Sequence, residues 1–165
     1  MSCQKFKVGL GIDSHAFLKN NVKKPLVLGG VIIPEAPGLK GNSDADVIFH
    51  ALTDAISSIT GRNIIGEISD TMCKRGITNS LAYLELAMAD LNQLQYEIEH
   101  ISIALEAAKP KLEPYLQKIR NNIAKTLHLI PNQVGITVTS GERLSDYGRG
   151  LGIKAVVAVT IMYEG

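Results

Sequence analysis

An apolar run over residues 5–12 that leads into Asp13 and His15 constrains this chain most strongly. The run predicts a first β-strand, in which Gly9 and Gly11 would allow either the close approach of another backbone segment or a bulge. Residues two apart on an extended strand point to the same face, so Asp13 and His15 would share one side of the strand. Such a pair can hold a divalent cation, and zinc accepts both oxygen and nitrogen donors. Two ligands do not complete a site, so other segments must supply the rest.

His50 is the best candidate for a third ligand. It lies in a segment with helical periodicity over about residues 43–59, in which Ser43 predicts the N-cap and Asp46 a capping-box partner. Asp46 and Asp54 are each four residues from His50, so either carboxylate can face the imidazole and fix its tautomer. Three protein ligands leave a fourth position for water or substrate, as in catalytic zinc sites. An ordinary histidine in a protein without a metal remains the alternative, because Asp-x-His alone is a weak signal.

Composition limits the classes of protein to consider. The length of 165 residues predicts one domain over 1–165, and a hydrophobic fraction of 45% without Trp supports an aliphatic core. The net charge is +1, and positive and negative residues are interspersed, so there is no basic patch of the kind that binds nucleic acid. The apolar run over 155–162 is far shorter than the ~20 residues of a membrane helix. Cys3 and Cys73 form neither a zinc-ribbon spacing nor a disulfide framework, which indicates reduced thiols of a cytoplasmic protein.

The remaining periodicity predicts a mixture of strands and helices. Two short strands over 25–33 form a hairpin that turns at Gly29 and Gly30 and is ended by Pro34 and Pro37. Residues 60–78 are mostly polar and predict a long loop of the kind that is often functional or mobile. The other predicted elements are helices over about 43–59, 79–94 and from Glu113 onward, and strands over about 96–107, 133–139 and 152–163. This order indicates an α+β fold, a two-layer sandwich of one mixed sheet with helices on one face.

Four groups of residues resemble the 2-C-methyl-D-erythritol 2,4-cyclodiphosphate synthase family over nearly the whole chain. They are Asp13-Ser-His15, the block from Ser43 to Asp54, Lys109-Pro-Lys111-Leu, and Thr139-Ser-Gly-Glu142 followed by Gly148-Arg149-Gly. Their order and separations together are specific to that family. Asn42-Ser-Asp and Asp13-Ser-His are most similar to its divergent, chlamydial-type branch.

The resemblance implies an enzyme of the non-mevalonate route to isoprenoid precursors, a phosphorus–oxygen lyase. Its substrate would be 4-diphosphocytidyl-2-C-methyl-D-erythritol 2-phosphate, whose 2-phosphate attacks the β-phosphorus and releases CMP. Because the attacking group is already anionic, the protein has to position phosphates and neutralise charge. The family implies homotrimers with active sites between subunits and no nucleic-acid or membrane partner. Asp13, His15 and His50 would hold one zinc or other divalent cation per subunit, and Glu142 would hold magnesium or manganese with the diphosphate.

The resemblance also assigns roles to polar residues outside the zinc ligands. Asn42 and Ser140 would be the catalytic residues that stabilise the transition state, with Ser140 standing where the family uses Thr. Arg149 matches a residue that lines the central channel of the trimer. The residues that would bind substrate are Asp13, His15, Asn42, Ser43, Gly66, Asp70, Lys111, Thr139, Ser140, Gly141, Glu142 and Arg149.

Four positions depart from the family pattern. Asn42 stands where the family commonly has His, and its amide can donate a hydrogen bond but cannot become cationic. Ile64 replaces an aspartate that contacts the erythritol hydroxyls, and Asp70 matches the aspartate of a Phe-Pro-Asp loop only in part. Asp146 replaces an aromatic residue near the channel. These departures keep open a second hypothesis, a metal- and nucleotide-binding trimer with impaired catalysis and a regulatory role. A third, another metal-dependent phosphohydrolase, depends only on the Asp/His/His set.

Overall fold

The computed structural model describes residues 4–19 and 23–165, so Cys3 lies outside the described part of the chain. The elements in chain order are β1 (Gln4–Ala16), β2 (Pro25–Leu28), β3 (Val31–Pro37), α1 (Val47–Thr60), α2 (Glu67–Lys74), α3 (Leu81–Gln93), β4 (Glu97–Glu106), α4 (Leu116–Thr126), β5 (Val134–Thr139) and β6 (Gly152–Glu164). None of the helices in residues 4–19 and 23–165 combines the length and hydrophobicity that crossing a bilayer requires.

A four-stranded sheet in the order β1-β6-β4-β5 forms one layer of the fold. Strand β6 runs antiparallel to both β1 and β4, whereas β4 and β5 are parallel, so the sheet is mixed. Helix α1 packs on β1 and β6 and also contacts α3, while α4 packs near β5. The predicted α+β class is therefore confirmed. The hairpin of β2 and β3 forms a two-stranded sheet of its own beside the larger one.

Glycines on β1 allow α1 to pack directly against the strand. A Cβ atom on Gly11 would overlap the carbonyl oxygen of Ala51, and one on Gly9 would overlap that of Ala55. Both clashes would involve the backbone of α1, which could only relieve them by moving as a whole. The close approach that Gly9 and Gly11 predict is thus confirmed, and it sets the distance between α1 and the carboxyl end of β1.

Helix α1 begins at Val47 with Asp46 as its N-cap, so the prediction of Ser43 as the N-cap is wrong. Oδ1 of Asp46 accepts hydrogen bonds from the first-turn amides of α1 at 3.0 and 3.2 Å. The same carboxylate accepts from the amides of Gly29 and Gly30, at 2.9 and 2.7 Å, in the turn of the hairpin. Burial raises the pKa of Asp46 to about 6, while the backbone hydrogen bonds favour its charged form. One buried carboxylate thereby joins the hairpin to the start of α1.

The largest error of the sequence analysis concerns residues 60–78, which contain α2 rather than one long loop. This helix has only eight residues, and its three hydrophobic ones, Ile68, Met72 and Cys73, are only partly buried, so the pattern is too short to predict a helix in a polar segment. Strand β3 also continues past Pro34 to Pro37. Proline is tolerated there because both strands of a two-stranded hairpin are edge strands. The helix predicted from Glu113 onward starts as a 3₁₀ turn and becomes α4 at Leu116.

Replacing Gly11 by Ala tests the contact between α1 and β1. We expect Gly11→Ala to lower the free energy of unfolding by about 3 kcal/mol, the upper range for overpacking, because the clashing atoms belong to helix backbone. Urea denaturation followed by circular dichroism measures the change. Gly135→Ala on β5 is the matched control, since its Cβ would find its nearest atom at 3.6 Å. Equal losses in the two variants would contradict the close approach.

Replacing Asp46 by Ala tests the link between hairpin and helix. We expect Asp46→Ala to cost about 3 kcal/mol, because it removes an N-cap and leaves the amides of Gly29 and Gly30 without their acceptor. Thermal and urea unfolding measure the loss. Asp90→Ala is the control, since Asp90 pairs at 3.0 Å with the half-exposed Arg62 and a surface pair of this kind contributes about 1 kcal/mol or less. A loss for Asp46→Ala no larger than the control's would refute the link.

Candidate metal centre and substrate pocket

Three side chains converge where the carboxyl end of β1 meets the first turn of α1. Oδ2 of Asp13 lies 3.1 Å from Nε2 of His15 and 3.1 Å from Nδ1 of His50, and the two nitrogens are 3.4 Å apart. Ligand atoms at the usual bond length from a tetrahedral zinc ion are separated by about 3.3 Å, the edge of the tetrahedron. One oxygen and two imidazole nitrogens at this spacing fit a single divalent ion with one vertex left open.

The pattern of β1 explains why these ligands meet. Residues 9, 11, 13 and 15 all point to the same face of the strand. The two glycines that admit α1 therefore share that face with Asp13 and His15. The backbone of α1 crosses Gly11 at Ala51, one residue after His50. Close packing of the helix therefore carries His50 directly to the two ligands on the strand.

Charge at the centre is concentrated on two carboxylates. Burial opposes the charge on Asp13, but hydrogen bonds from His15 and His50 outweigh it and hold the pKa of Asp13 below its usual range. Asp54 lies one turn after His50 on α1. Burial, aided by the negative charge of Asp13, raises the pKa of Asp54 to about 6. A group of acids and imidazoles of this kind is suited to a cation, which would neutralise the excess negative charge.

The second nitrogen of His50 contacts hydroxyl groups. Nε2 lies 2.8 Å from Oγ of Ser80 and 3.3 Å from Oγ of Ser43. The expected carboxylate partner, Asp46 or Asp54, does not take this place, because Asp46 is directed to the hairpin amides. Sequence reasoning missed Ser80, which lies 30 residues from His50, where no local periodicity connects the two.

A cavity of about 420 Å³ opens beside the three ligands. The predicted site residues that line it are Asp13, His15, Asn42, Ser43, His50, Gly66 and Asp70. Helix α2 forms one wall and adds Ser69 and Cys73, which the sequence analysis did not select, while Lys40 lies on the rim beside Asn42. Cys73 is a free thiol in the structure, in agreement with its sequence-based interpretation. The cavity therefore combines a metal centre with polar side chains and one cation.

The Ile64 departure is explained by burial. Its side chain is fully buried in the core, whereas its neighbours Ile65 and Gly66 line the cavity. An aliphatic residue at position 64 therefore contributes to packing and leaves no carboxylate at this wall. Asp70, one turn further along α2, is the carboxylate that α2 presents to the cavity.

A second cluster of predicted site residues follows β5. Oγ of Ser140 donates to Oε1 of Glu142 at 3.1 Å, and the amide of Gly141 donates to Oγ1 of Thr139 at 3.2 Å. Glu142 has a left-handed backbone, with φ of 47° and ψ of 31°, inside a 3₁₀ turn. This turn presents a hydroxyl and a carboxylate side by side at the surface.

Two predicted cations lie near this second cluster. The amide of Ala107 donates to the carbonyl of Thr139 at 3.0 Å, which joins the cluster to the loop that carries the exposed Lys111. Nη2 of Arg149 pairs with Oδ1 of Asp146 at 2.6 Å, and both side chains are at least half exposed. The aspartate that replaces an aromatic residue in this chain is thus the partner of Arg149.

The two clusters lie at the same end of the sheet but at opposite edges. Residues 13–16 of β1 pair with the start of β6. The start of β6 also pairs with the end of β4, and β5 ends beside the end of β4, so both clusters lie at this end of the sheet. Three strand spacings separate β1 from β5, so the two clusters lie about 14 Å apart at the backbone. In the described part of the chain, the residues that line the metal-centre cavity include none from the second cluster.

Comparison with known proteins identifies relatives over almost the whole chain. A sequence model of the YgbB family matches residues 6–162. The 2-C-methyl-D-erythritol 2,4-cyclodiphosphate synthase of Chlamydia trachomatis serovar A is 43% identical over 158 residues, which cover 95% of this chain and 88% of that protein.

Two solved structures are similar to the fold. The bifunctional IspDF from Campylobacter jejuni superposes with a TM-score of 0.88 at 36% identity, covering 98% of this chain, which spans 43% of that longer protein. IspF of Plasmodium falciparum, in a complex with CDP, superposes with a TM-score of 0.81 at 25% identity and 97% coverage of both chains. The likeness therefore extends to a complete chain of similar length.

Removing one ligand tests the metal centre. We expect the wild-type protein to retain zinc through dialysis and His50→Ala to lose it, because two protein ligands hold the ion far more weakly than three. Metal content per chain, measured by mass spectrometry of the dialysed protein, gives the result. His100→Ala on β4 is the control, since that imidazole lies beside Ser102 and outside the centre. Zinc retained by His50→Ala at the wild-type level would contradict the assignment.

Proposed function

The chain belongs to the YgbB family and shares its cyclodiphosphate synthase function in isoprenoid biosynthesis, and from this premise we propose how its residues act. The proposed reaction converts 4-diphosphocytidyl-2-C-methyl-D-erythritol 2-phosphate to 2-C-methyl-D-erythritol 2,4-cyclodiphosphate and CMP. The 2-phosphate attacks the β-phosphorus of the diphosphate and CMP leaves, which makes the protein a phosphorus–oxygen lyase. The observation that carries the proposal is the set Asp13, His15 and His50 at the mouth of a cavity of about 420 Å³.

We assign zinc, or another divalent cation, to Asp13, His15 and His50. Their donor set and the 3.1–3.4 Å spacing of the three ligand atoms support this assignment. When bound, the ion supplies Lewis-acid polarisation of a phosphoryl oxygen. The three side chains would hold that charge at the cavity wall.

Residues around the cavity would orient the substrate. Asn42 lines the cavity and can donate from its neutral amide to a phosphoryl oxygen, while Lys40 on the same rim supplies a positive charge that the amide lacks. Ser43 contributes a further hydroxyl to the phosphate side. We propose that Asp70 and the backbone near Gly66 hold the erythritol hydroxyls, since α2 places both at the opposite wall.

The second cluster would bind the cytidyl part of the substrate. Glu142 offers the hard oxygen that magnesium or manganese prefers, and Ser140 places a hydroxyl beside it. The backbone from Thr139 to Gly141 would contact cytosine and ribose phosphate, and Lys111 would add a point charge. The CDP complex of the Plasmodium falciparum relative supports a cytidine nucleotide as the ligand.

We propose a homotrimer in which each site lies between two subunits. The two clusters are about 14 Å apart in one chain, so a neighbouring copy has to bring its second cluster to the metal centre. The face of β1 opposite α1 supports this assembly, because Phe6, Val8, Leu10 and Ile12 are each more than half exposed there. Contiguous exposed apolar residues of this kind mark protein–protein contacts. The single domain over 1–165 and its cytoplasmic location stay predictions.

Phosphorus NMR of the purified protein with the cytidyl diphosphate substrate, zinc and magnesium tests the reaction. We expect the signals of the cyclic diphosphate and CMP to appear, to stay absent when a chelator is added before the substrate, and to appear again once both ions are restored. Unchanged substrate from a folded, zinc-loaded protein would favour the regulatory trimer and make Asn42 the first suspect. Release of inorganic phosphate from simple phosphate esters would favour a phosphohydrolase.

Mixing two inactive variants tests the shared site. His50→Ala removes the metal centre and Glu142→Gln removes the second cluster's carboxylate, so each variant alone should lose most turnover. In randomly mixed trimers, about a quarter of the sites would combine an intact half from each chain, and about that share of wild-type activity should return. Refolding the two variants together in equal amounts and measuring CMP release gives the result. No recovery in verified mixed oligomers would contradict a site between subunits.

A further inference from the structure

We propose that Ser80 and Asp44 are positioning residues that fix His50 as a metal ligand through Nδ1. This inference rests on the metal centre proposed above, and it adds two residues that neither the ligand set nor the substrate cavity includes. Both contacts come from segments far apart in the sequence, the loop before α1 and the start of α3.

The direction of each hydrogen bond follows from the chemistry of the three groups. Oγ of Ser80 lies 2.8 Å from Nε2 of His50 and is also hydrogen-bonded to Oδ1 of Asp44. A hydroxyl has one proton, and a carboxylate can only accept, so Ser80 donates to Asp44. Ser80 must then accept from His50, which places the ring proton on Nε2. An ion that replaces the Nδ1 proton, through which His50 bonds Asp13, would therefore find the ligand lone pair on Nδ1, beside Asp13 and His15.

The hydroxyl of Ser80 serves His50 rather than its own helix. Ser80 precedes α3 at the N-cap position, where a serine usually accepts from the first-turn amides, but it makes no such side-chain bond. The amide of Leu81 instead donates to Oδ1 of Asn79 at 2.9 Å. Because Ser80 is fully buried, its hydroxyl has no contact with water to replace these partners.

Asp44 holds Ser80 from two sides. Its Oδ2 accepts from the amide of Ser80 at 3.1 Å, while its Oδ1 accepts from the hydroxyl. The amide of Asp44 donates in turn to the carbonyl of Thr78 at 2.8 Å. A carboxylate that polarises the hydroxyl makes it a better acceptor, and this raises the basicity of the imidazole as a ligand. The same contacts hold the loop that carries Asn42, two residues before Asp44.

Zinc affinity of the full-length protein tests the inference without any turnover. We expect Ser80→Ala, stripped of metal and titrated against a chromophoric chelator, to bind zinc about tenfold more weakly than the wild type, the usual effect of removing an outer partner of a ligating histidine. Ser80→Thr keeps the hydroxyl and should restore most of the affinity. Ser57→Ala is the matched control, because it removes a buried hydroxyl of α1 that has no hydrogen-bond partner among the described residues.

A cobalt spectrum separates positioning from general stability. The visible bands of cobalt bound to Ser80→Ala should shift or weaken as the His50 ring turns, and those of Ser57→Ala should match the wild type. Zinc affinity of Ser80→Ala within about twofold of the wild type, or an equal loss in Ser57→Ala, would overturn the inference.

A second variant keeps the test decisive if Ser80→Ala does not fold. Asp44→Asn retains an acceptor for the hydroxyl but loses the charge, and we expect zinc affinity to fall by about threefold or more. Unchanged affinity in that variant would overturn the role of Asp44. A wild-type protein that binds no zinc would remove the metal centre itself. If Ser80→Ala and Asp44→Asn both keep wild-type zinc affinity and turnover is normal, the positioning role of Ser80 and Asp44 is refuted while the proposed function stands.

Discussion

The contact between the backbone of α1 and the glycines of β1 is the constraint on which the rest of the structure depends. Gly9 and Gly11 remove the side chains that would otherwise separate helix and strand. Because a strand alternates its faces, the same packing that buries α1 also aligns Asp13 and His15 with the first turn of that helix. The candidate metal centre is therefore a consequence of core packing, and its three candidate ligand atoms lie within 3.4 Å of one another.

Two aspartates before α1 hold this geometry in place by different contacts. Asp46 caps the helix and joins it to the turn of the hairpin, while Asp44 joins the same loop to the start of α3 through Ser80. The buried Asp46 and the partly buried Asp44 both accept hydrogen bonds from backbone amides, and Asp44 also accepts one from a hydroxyl, so each arrangement is directional. The loop that carries both aspartates also presents Asn42 and Ser43 to the cavity, and these contacts would keep the neutral amide oriented toward a phosphate.

Division of the proposed site between opposite edges of one sheet connects the fold to assembly. Strand spacing leaves the metal centre and the turn around Ser140 and Glu142 too far apart for one chain to place both against a single diphosphate. In the proposed trimer, closed rotational symmetry would solve this problem without any new element, because every copy would offer one cluster to each neighbour. The exposed apolar side chains of β1 provide a surface that such packing would bury.

The sequence by itself determined the features that depend on local spacing. Alternation on β1, the pair Asp13 and His15, and helical periodicity around His50 led to the α+β class and to the ligand set. The resemblance added the turn around Glu142, which local patterns alone would leave as an ordinary turn. Only the tertiary structure showed that Asp46, predicted as the capping-box partner of Ser43, is itself the N-cap, since its carboxylate also has to meet the hairpin amides. It also revealed α2, whose apolar face is only one turn long among polar residues, and Ser80, because a hydrogen bond between distant segments leaves no periodic trace in a sequence.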